Sequence, residues 1–272
     1  MLGAALAHAA GVAADAYRAP RGPGGEHPDL NGIWQALSSA HYDIERHAAR
    51  SSLAERPGPV GPVPSIKTLY LGAVGAVPAG HGIVRDGVLP YLPDARARQQ
   101  DNRANWLQRD PEISCYLPGI PRSTYMPYPF QILQGADSLF VAYEYAGAVR
   151  EIYLEDPGEA PIDSWMGQSV GRWEGDTLVV TVTAQNDQTW FDRAGNHHSA
   201  AMVVTERFTP MGPNHLRYEA RIEDPQTFTR PWTIELPLYR RMEADARLLE
   251  FRCVEFVEEL MYGEFRREPL PR

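Results

Sequence analysis

The chain has 272 residues, of which 43% are hydrophobic and 22% are charged, and its formal net charge is −9. This composition is typical of a globular protein that is large enough to bury a core. The acidic balance and the scattered basic residues argue against nucleic-acid binding. Lys67 is the only lysine and lies in a Pro-rich stretch without a nearby partner, which argues against lysine-based catalysis.

Residues 1–29 are predicted to form a flexible extension or the remnant of an export signal. The Ala-rich start contains Ala14-Asp15-Ala16, which has the spacing of a signal-peptide cleavage site. It is too short and too interrupted for a membrane-spanning helix, and no other segment predicts membrane insertion. An export signal would imply a periplasmic protein, and without one we expect a cytoplasmic protein.

Residues 30–129 are predicted to contain the first strand, a long wrapping loop and one helix. The strand begins within residues 30–34, and residues 56–90 are so rich in Pro and Gly that they predict loop. The one predicted helix runs from Asp94 to Leu107.

Residues 130–258 are predicted to form an all-β barrel, followed by a C-terminal tail at 259–272. Short β-branched and aromatic runs alternate with turn residues, and Gly175-Asp176, 210–214 and 243–246 predict hairpins. A meander of about 8–10 antiparallel strands would close into an up-and-down, lipocalin-like barrel, because closure removes the exposed edges of an open sheet. The predicted strands are 130–134, 138–146, 148–154, 168–174, 177–183, 201–209, 215–223, 231–239 and 247–256.

Cys115 and Cys253 are the only cysteines. They are too few for a metal ribbon and too far apart for a C-x-x-C redox motif. They predict one long-range disulfide if the protein is exported, or two buried thiols otherwise.

Two segments resemble known families. Gly32-Ile33-Trp34 is similar to the G-x-W opening of lipocalins, where the tryptophan closes the barrel floor. The motif W-M-G-Q-S-V-G-R-W-E-G-D-T-L-V-V at residues 165–180 resembles a large family of uncharacterised bacterial proteins, many of which look exported. The resemblance covers the chain from Pro28 to Cys253 and implies a common fold but no activity. Family members often carry an acidic residue where this chain has Ala200, so no role transfers to that position.

Glu206 is the first candidate for chemistry. Side-chain parity along 201–209 places it on the same strand face as Val204 and Phe208. A carboxylate in apolar surroundings is either paired with a cation or poised as an acid or base. We therefore predict either a structural ion pair with an arginine such as Arg150 or a catalytic carboxylate.

The segment 185–199 is the densest run of functional groups and connects two predicted strands at one mouth of the barrel. His198, oriented by Asp187 or Asp192, would transfer a proton near neutral pH. The alternative is a turn-rich loop whose Asn and Asp side chains bind their own backbone. His197 and His198 lack metal-ligand spacing, and phosphate and dinucleotide motifs are absent, so neither a metal nor an organic cofactor is predicted.

The aromatic residues of the barrel region predict a cavity for one small hydrophobic or aromatic ligand. The residues predicted to hold this ligand are Arg122, Tyr125, Tyr143, Trp165 and Trp190.

Two functions agree with these features. The first is a cofactor-independent acid–base enzyme (a lyase, isomerase or hydrolase) that acts on the ligand in the barrel cavity through His198, Asp187, Asp192 and Glu206. The second is a lipocalin-type carrier or sensor of the same ligand without catalysis. A third hypothesis is an interaction module that presents the loops of 37–90 to a protein partner.

Overall fold

The computed structural model describes residues 17–69, 71, 75–255 and 257–265. The Ala-rich stretch 1–16 and the end of the predicted tail, 266–272, lie outside the described residues. The strands are β1 (Gly32–Ala36), β2 (Arg50–Ser51), β3 (Glu55–Arg56), β4 (Val63–Pro64), β5 (Ala76–Val77), β6 (Phe130–Gln134), β7 (Ser138–Tyr143), β8 (Val149–Tyr153), β9 (Gln168–Glu174), β10 (Thr177–Thr183), β11 (Val203–Gly212), β12 (His215–Glu223) and β13 (Trp232–Arg240). The helices are α1 (Ile66–Leu69), α2 (Pro93–Ala104), α3 (Trp106–Arg109), α4 (Arg122–Tyr125) and α5 (Val257–Tyr262), with 3-10 turns at Tyr145–Gly147 and Gly263–Phe265.

Nine of the described strands close into one barrel in the order β1-β13-β12-β11-β10-β9-β8-β7-β6, and β1 also pairs with β6. The prediction of an all-β barrel is therefore confirmed. The prediction of a purely antiparallel meander is wrong, because β8 and β9 run parallel. A closed ring with an odd number of strands cannot alternate direction throughout. Residues 154–167 provide the long connection that a parallel pair needs.

The predicted strands agree best with the structure where turn residues bound them. β6, β9, β10 and β12 have the predicted limits. Between β9 and β10, Gly175 has φ 60°, a left-handed conformation that favours glycine in a tight hairpin.

The predicted strand 247–256 is wrong over its described part, since residues 247–255 are not in a strand. Residue 256 lies outside the described residues. The turn at 243–246 forms, with Ala246 N–H donating to Glu243 O at 3.0 Å, but it leads to no second strand. The physical reason is closure: β13 already pairs with β1, so no free edge remains for another strand.

Helix is more widespread than the single predicted segment. The predicted helix 94–107 divides into α2 and α3 at Asn105, whose φ −115° and ψ 24° lie outside the helical region. The segment predicted as wrapping loop, 56–90, contains α1, β4 and β5. These two short strands pair with β3 and β2, which lie at and before the start of the segment.

Side chains from the barrel strands, together with side chains from the segments packed on them, form a hydrophobic core. We expected the ligand cavity inside the barrel, but the cavities described below lie outside this core. Trp34 is buried in it, donates its Nε1–H to Leu30 O at 3.0 Å and carries the Arg240 guanidinium 4.2 Å from its ring centroid.

Cys115 and Cys253 form a disulfide across 138 residues. This confirms the first of the two predicted states of the cysteines. The bond ties the segment after the barrel to the segment that follows α3.

Among the described residues, no helix has the combined length and apolarity that crossing a bilayer requires.

Candidate functional site

An open groove of about 580 Å³ lies where β9 begins and β10 ends, beside α2 and α3. Three of the predicted site residues meet in this groove: Trp165, Asp187 and Trp190. The groove is completed by Arg98, Asp101, Asn102, Arg109, Pro111, Ser114, Tyr116 and Gln188.

One wall of the groove is fixed by contacts between α2 and the loop after β10. Gln99 Nε2–H donates to Ala194 O at 2.6 Å, and Asn102 Nδ2–H donates to Gly195 O at 3.3 Å. Gly195 has φ 81°, and a Cβ there would lie 2.6 Å from the Arg103 backbone nitrogen. A glycine is therefore required for α2 to approach the loop this closely.

An aromatic pair forms another part of the groove lining. The rings of Tyr116 and Trp165 stack with centroids 4.7 Å apart and planes 7° from parallel. The neighbouring backbone is fixed, because Ser164 N–H donates to Ala184 O and Asn186 N–H donates to Ser164 O, both at 2.9 Å. Tyr116 is 52% exposed, so the pair presents aromatic surface to solvent. Such surface is suited to stacking with a planar ligand.

Two charged side chains in the groove have no ion pair or hydrogen bond among the described residues. They are Arg98, exposed on α2, and Asp187, exposed in the loop after β10. Asp101, by contrast, is paired with Arg109. Trp190 also lines the groove but is only 6% exposed. The groove thus offers a cation and a carboxylate beside aromatic surface.

His198 is buried and bound on both ring nitrogens, which differs from the predicted pairing with Asp187 or Asp192. Its Nδ1 lies 2.9 Å from Ser199 O, and a carbonyl only accepts, so Nδ1 carries the hydrogen. Nε2 therefore accepts from Thr189 Oγ1–H at 2.6 Å. Burial lowers the pKa of His198, and this favours the neutral ring.

Asp192 is fully buried, and its carboxyl oxygens hold the loop around it. It accepts hydrogen bonds from the backbone N–H groups of Ile44 (2.8 Å) and Ala194 (2.9 Å) and from the Asn196 side chain (2.7 Å). Burial and the nearby carboxylate of Asp43 raise the pKa of Asp192 to about 8. The bond from Ala194 N–H agrees with the alternative to catalysis predicted from the sequence, a turn-rich loop whose Asn and Asp side chains bind their own backbone.

Glu206 points into the barrel, as strand parity predicts, and is fully buried. Arg150 Nη1–H donates to its Oε2 at 2.7 Å, and Tyr218 O–H donates to its Oε1 at 2.7 Å. The predicted ion pair with Arg150 is therefore present. A substrate in the groove has no contact with this pair, because neither residue lines the groove.

Three residues predicted to hold a ligand lie in the core instead of the groove. Arg122 forms a two-pronged ion pair with Asp110, with N–O distances of 2.8 and 2.9 Å. Tyr125 donates its hydroxyl hydrogen to Phe191 O at 2.8 Å. Tyr143 is 4% exposed, and burial raises the pKa of its hydroxyl.

The contribution of α2 and α3 to the groove is not predicted from the sequence. The missed residues include Arg98, Asp101 and Asn102, which share one helix face because they are three and four residues apart. That spacing was visible in the predicted helix. Tyr116 carried no comparable signal, since it lies in a loop and stacks on a residue far away in sequence.

Within the described residues, no three His, Cys, Asp or Glu side chains are grouped so as to hold a metal ion. Comparison with known protein families, curated proteins and solved structures found no match to this chain.

Proposed function

We propose that the protein binds a small aromatic molecule with polar substituents in the groove, as a carrier or sensor without catalysis. The observation that carries this proposal is the combination, in one opening, of a stacked aromatic pair with the unpaired charges of Arg98 and Asp187.

The groove matches such a ligand in size and chemistry. Its volume of about 580 Å³ lies within the range of small-molecule sites. An aromatic ring would pack on Trp165. An anionic or carbonyl group would accept hydrogen bonds from Arg98, and an ammonium or hydroxyl group would donate to Asp187. A zwitterionic aromatic molecule satisfies all three contacts.

The burial of three of the predicted catalytic residues favours a ligand-binding function over catalysis. Among the four predicted catalytic residues, His198, Asp192 and Glu206 are each no more than 1% exposed, and each is already hydrogen-bonded within the protein. General acid–base catalysis requires the acid or base to come within hydrogen-bond reach of the substrate. These three residues are better explained as parts of the scaffold that holds the groove.

The test is titration of the protein with tyrosine, tyramine and phenol, with binding measured by tryptophan fluorescence and by calorimetry. Tyrosine should bind most tightly, because only it carries both charges. Trp165→Leu and Asp187→Asn should each weaken binding by about tenfold, from lost stacking and a lost charged hydrogen bond. Asp163→Asn, an exposed carboxylate outside the groove, is the matched control. Equal affinity in all variants, or no binding of any probe, would contradict the proposal.

A second candidate function is acid–base catalysis on the same ligand, as a lyase, isomerase or hydrolase. It is favoured by Asp187, the only one of the four predicted catalytic residues that solvent reaches. Incubation followed by mass spectrometry separates the two functions. A carrier returns the ligand unchanged, whereas an enzyme yields a product whose formation Asp187→Asn abolishes.

The disulfide favours the exported alternative for localisation, because cytosolic proteins usually keep their thiols reduced. Export would give the carrier or sensor access to ligands outside the cytoplasm.

A further inference from the structure

A second cavity, of about 280 Å³, lies between the short β2–β5 pair, α3 and α5, and it shares no lining residue with the groove. Buried Leu53 and Val77 form part of its lining, together with the rings of Tyr42, Trp106 and Tyr262. The cavity is therefore apolar and aromatic over much of its surface.

Three arginines and one glutamate provide the charge around this cavity. Arg193 is neutralised, since its guanidinium is bound to Glu112 and Glu258. Arg103 is exposed and has no carboxylate partner among the described residues. Arg103 therefore brings an uncompensated positive charge to this cavity, although the net charge of the protein is −9.

Arg50 is the second cation that lines the cavity, and it forms an ion pair with the buried carboxylate of Asp43. Its Nη1 lies 3.2 Å from Asp43 Oδ2, yet this buried nitrogen makes no hydrogen bond within the described part of the chain. Burial and the neighbouring charge of Arg103 lower the pKa of Arg50. An anion beside both guanidinium groups would reduce the repulsion between them and would accept a hydrogen bond from Arg50 Nη1.

We infer that this cavity binds a small organic carboxylate, with the carboxylate between Arg50 and Arg103 and the apolar body against Trp106 and the Leu53–Val77 floor. Guanidinium groups match a carboxylate through paired N–H donors. Inorganic phosphate also carries negative charge, but it has no apolar part that would contact Leu53 and Val77. A neutral amide of the same shape has the body but lacks the charge. The carboxylate is the one class that uses both features.

The experiment is calorimetric titration of the full chain with benzoate, benzamide and inorganic phosphate. Benzoate should bind with one-to-one stoichiometry, and benzamide should bind at least about tenfold more weakly, as expected for loss of a charged hydrogen bond. Phosphate should bind more weakly than benzoate. Equal affinity for benzoate and benzamide, or binding of phosphate alone, would overturn the inference.

Two variants test whether benzoate binds in this cavity. Arg103→Gln should weaken benzoate binding by about 10- to 100-fold, and its melting temperature should stay near that of the wild type because the side chain is exposed. Arg46→Gln, an exposed arginine outside both cavities, is the matched control and should bind benzoate normally. Full benzoate affinity in Arg103→Gln would refute the site. Loss of benzoate binding in Trp165→Leu instead would place the anion in the groove and refute it equally, without affecting the proposal for the groove.

Discussion

The buried pair of Glu206 and Arg150 gives the sharpest prediction about stability. In Glu206→Gln the shape is nearly unchanged, and the amide oxygen can still accept the hydrogen bond of Tyr218. The charge that compensates Arg150 is lost, while the Arg150 side chain stays buried, since it is only 5% exposed. The variant therefore isolates the cost of leaving one buried cation unpaired.

The expected size follows from the burial of both partners. Removal of one partner of a buried ion pair costs about 3–5 kcal/mol of unfolding free energy. For a protein of this size, each kcal/mol lowers the melting temperature by about 2–4 °C, so we expect a decrease of about 6–20 °C.

Thermal unfolding followed by circular dichroism, together with urea titration, measures this effect. Glu151→Gln is the matched control, because Glu151 is the exposed neighbour of Arg150 on β8, and this variant should melt like the wild type. A loss below about 1 kcal/mol in Glu206→Gln is typical of exposed pairs and would refute the structural role assigned to this ion pair.

Three further predictions concern the scaffold. Reduction of Cys115–Cys253 should lower the unfolding free energy by about 2–5 kcal/mol, and an unchanged urea midpoint after complete reduction, checked by thiol titration, would contradict this. Gly195→Ala should destabilise the protein by about 1–3 kcal/mol, because φ 81° and the close approach of α2 both exclude a Cβ. A wild-type melting temperature in this variant would contradict the prediction, since it would show that α2 moves away at no cost. Burial lowers the pKa of His198 and lowers that of His197 to about 4. Below about pH 6.5 the unfolded chain therefore binds more protons than the folded chain, and the unfolding free energy should fall as pH falls towards 4. Urea midpoints at several pH values should show this slope, and a slope in His198→Gln equal to that of the wild type would disprove the assignment.

Much of the barrel was predictable because its strands carry local signals. The alternation of apolar and polar residues in β11 placed Glu206 inside, and Gly175 marked the hairpin before β10. The parallel pairing of β8 with β9 was not predictable in this way, since it depends on the closure of an odd-numbered ring. The same closure excluded a strand at 247–255, although its residues have strand character.

The candidate site was predictable only in part, because burial is a tertiary property. The chemical groups of Trp165, Asp187 and Trp190 predict them as site residues, and the groove brings them together. The imidazole of His198 gives the same prediction, but packing around Thr189 and Phe191 encloses its ring. Composition identified the right segment of the chain, and only the packing shows which of its side chains reach solvent.

The most direct test of the central claim, that ligand binds in the groove and not inside the barrel, is to map tyrosine binding by the amide and indole signals of isotope-labelled protein. Binding in the groove should shift the indole N–H signals of Trp165 and Trp190 and the backbone signal of Asp187, while the indole signal of Trp34 stays in place. Shifts confined to Trp34 and to the strands around Arg150 and Glu206 would contradict the account and return the ligand to the barrel interior.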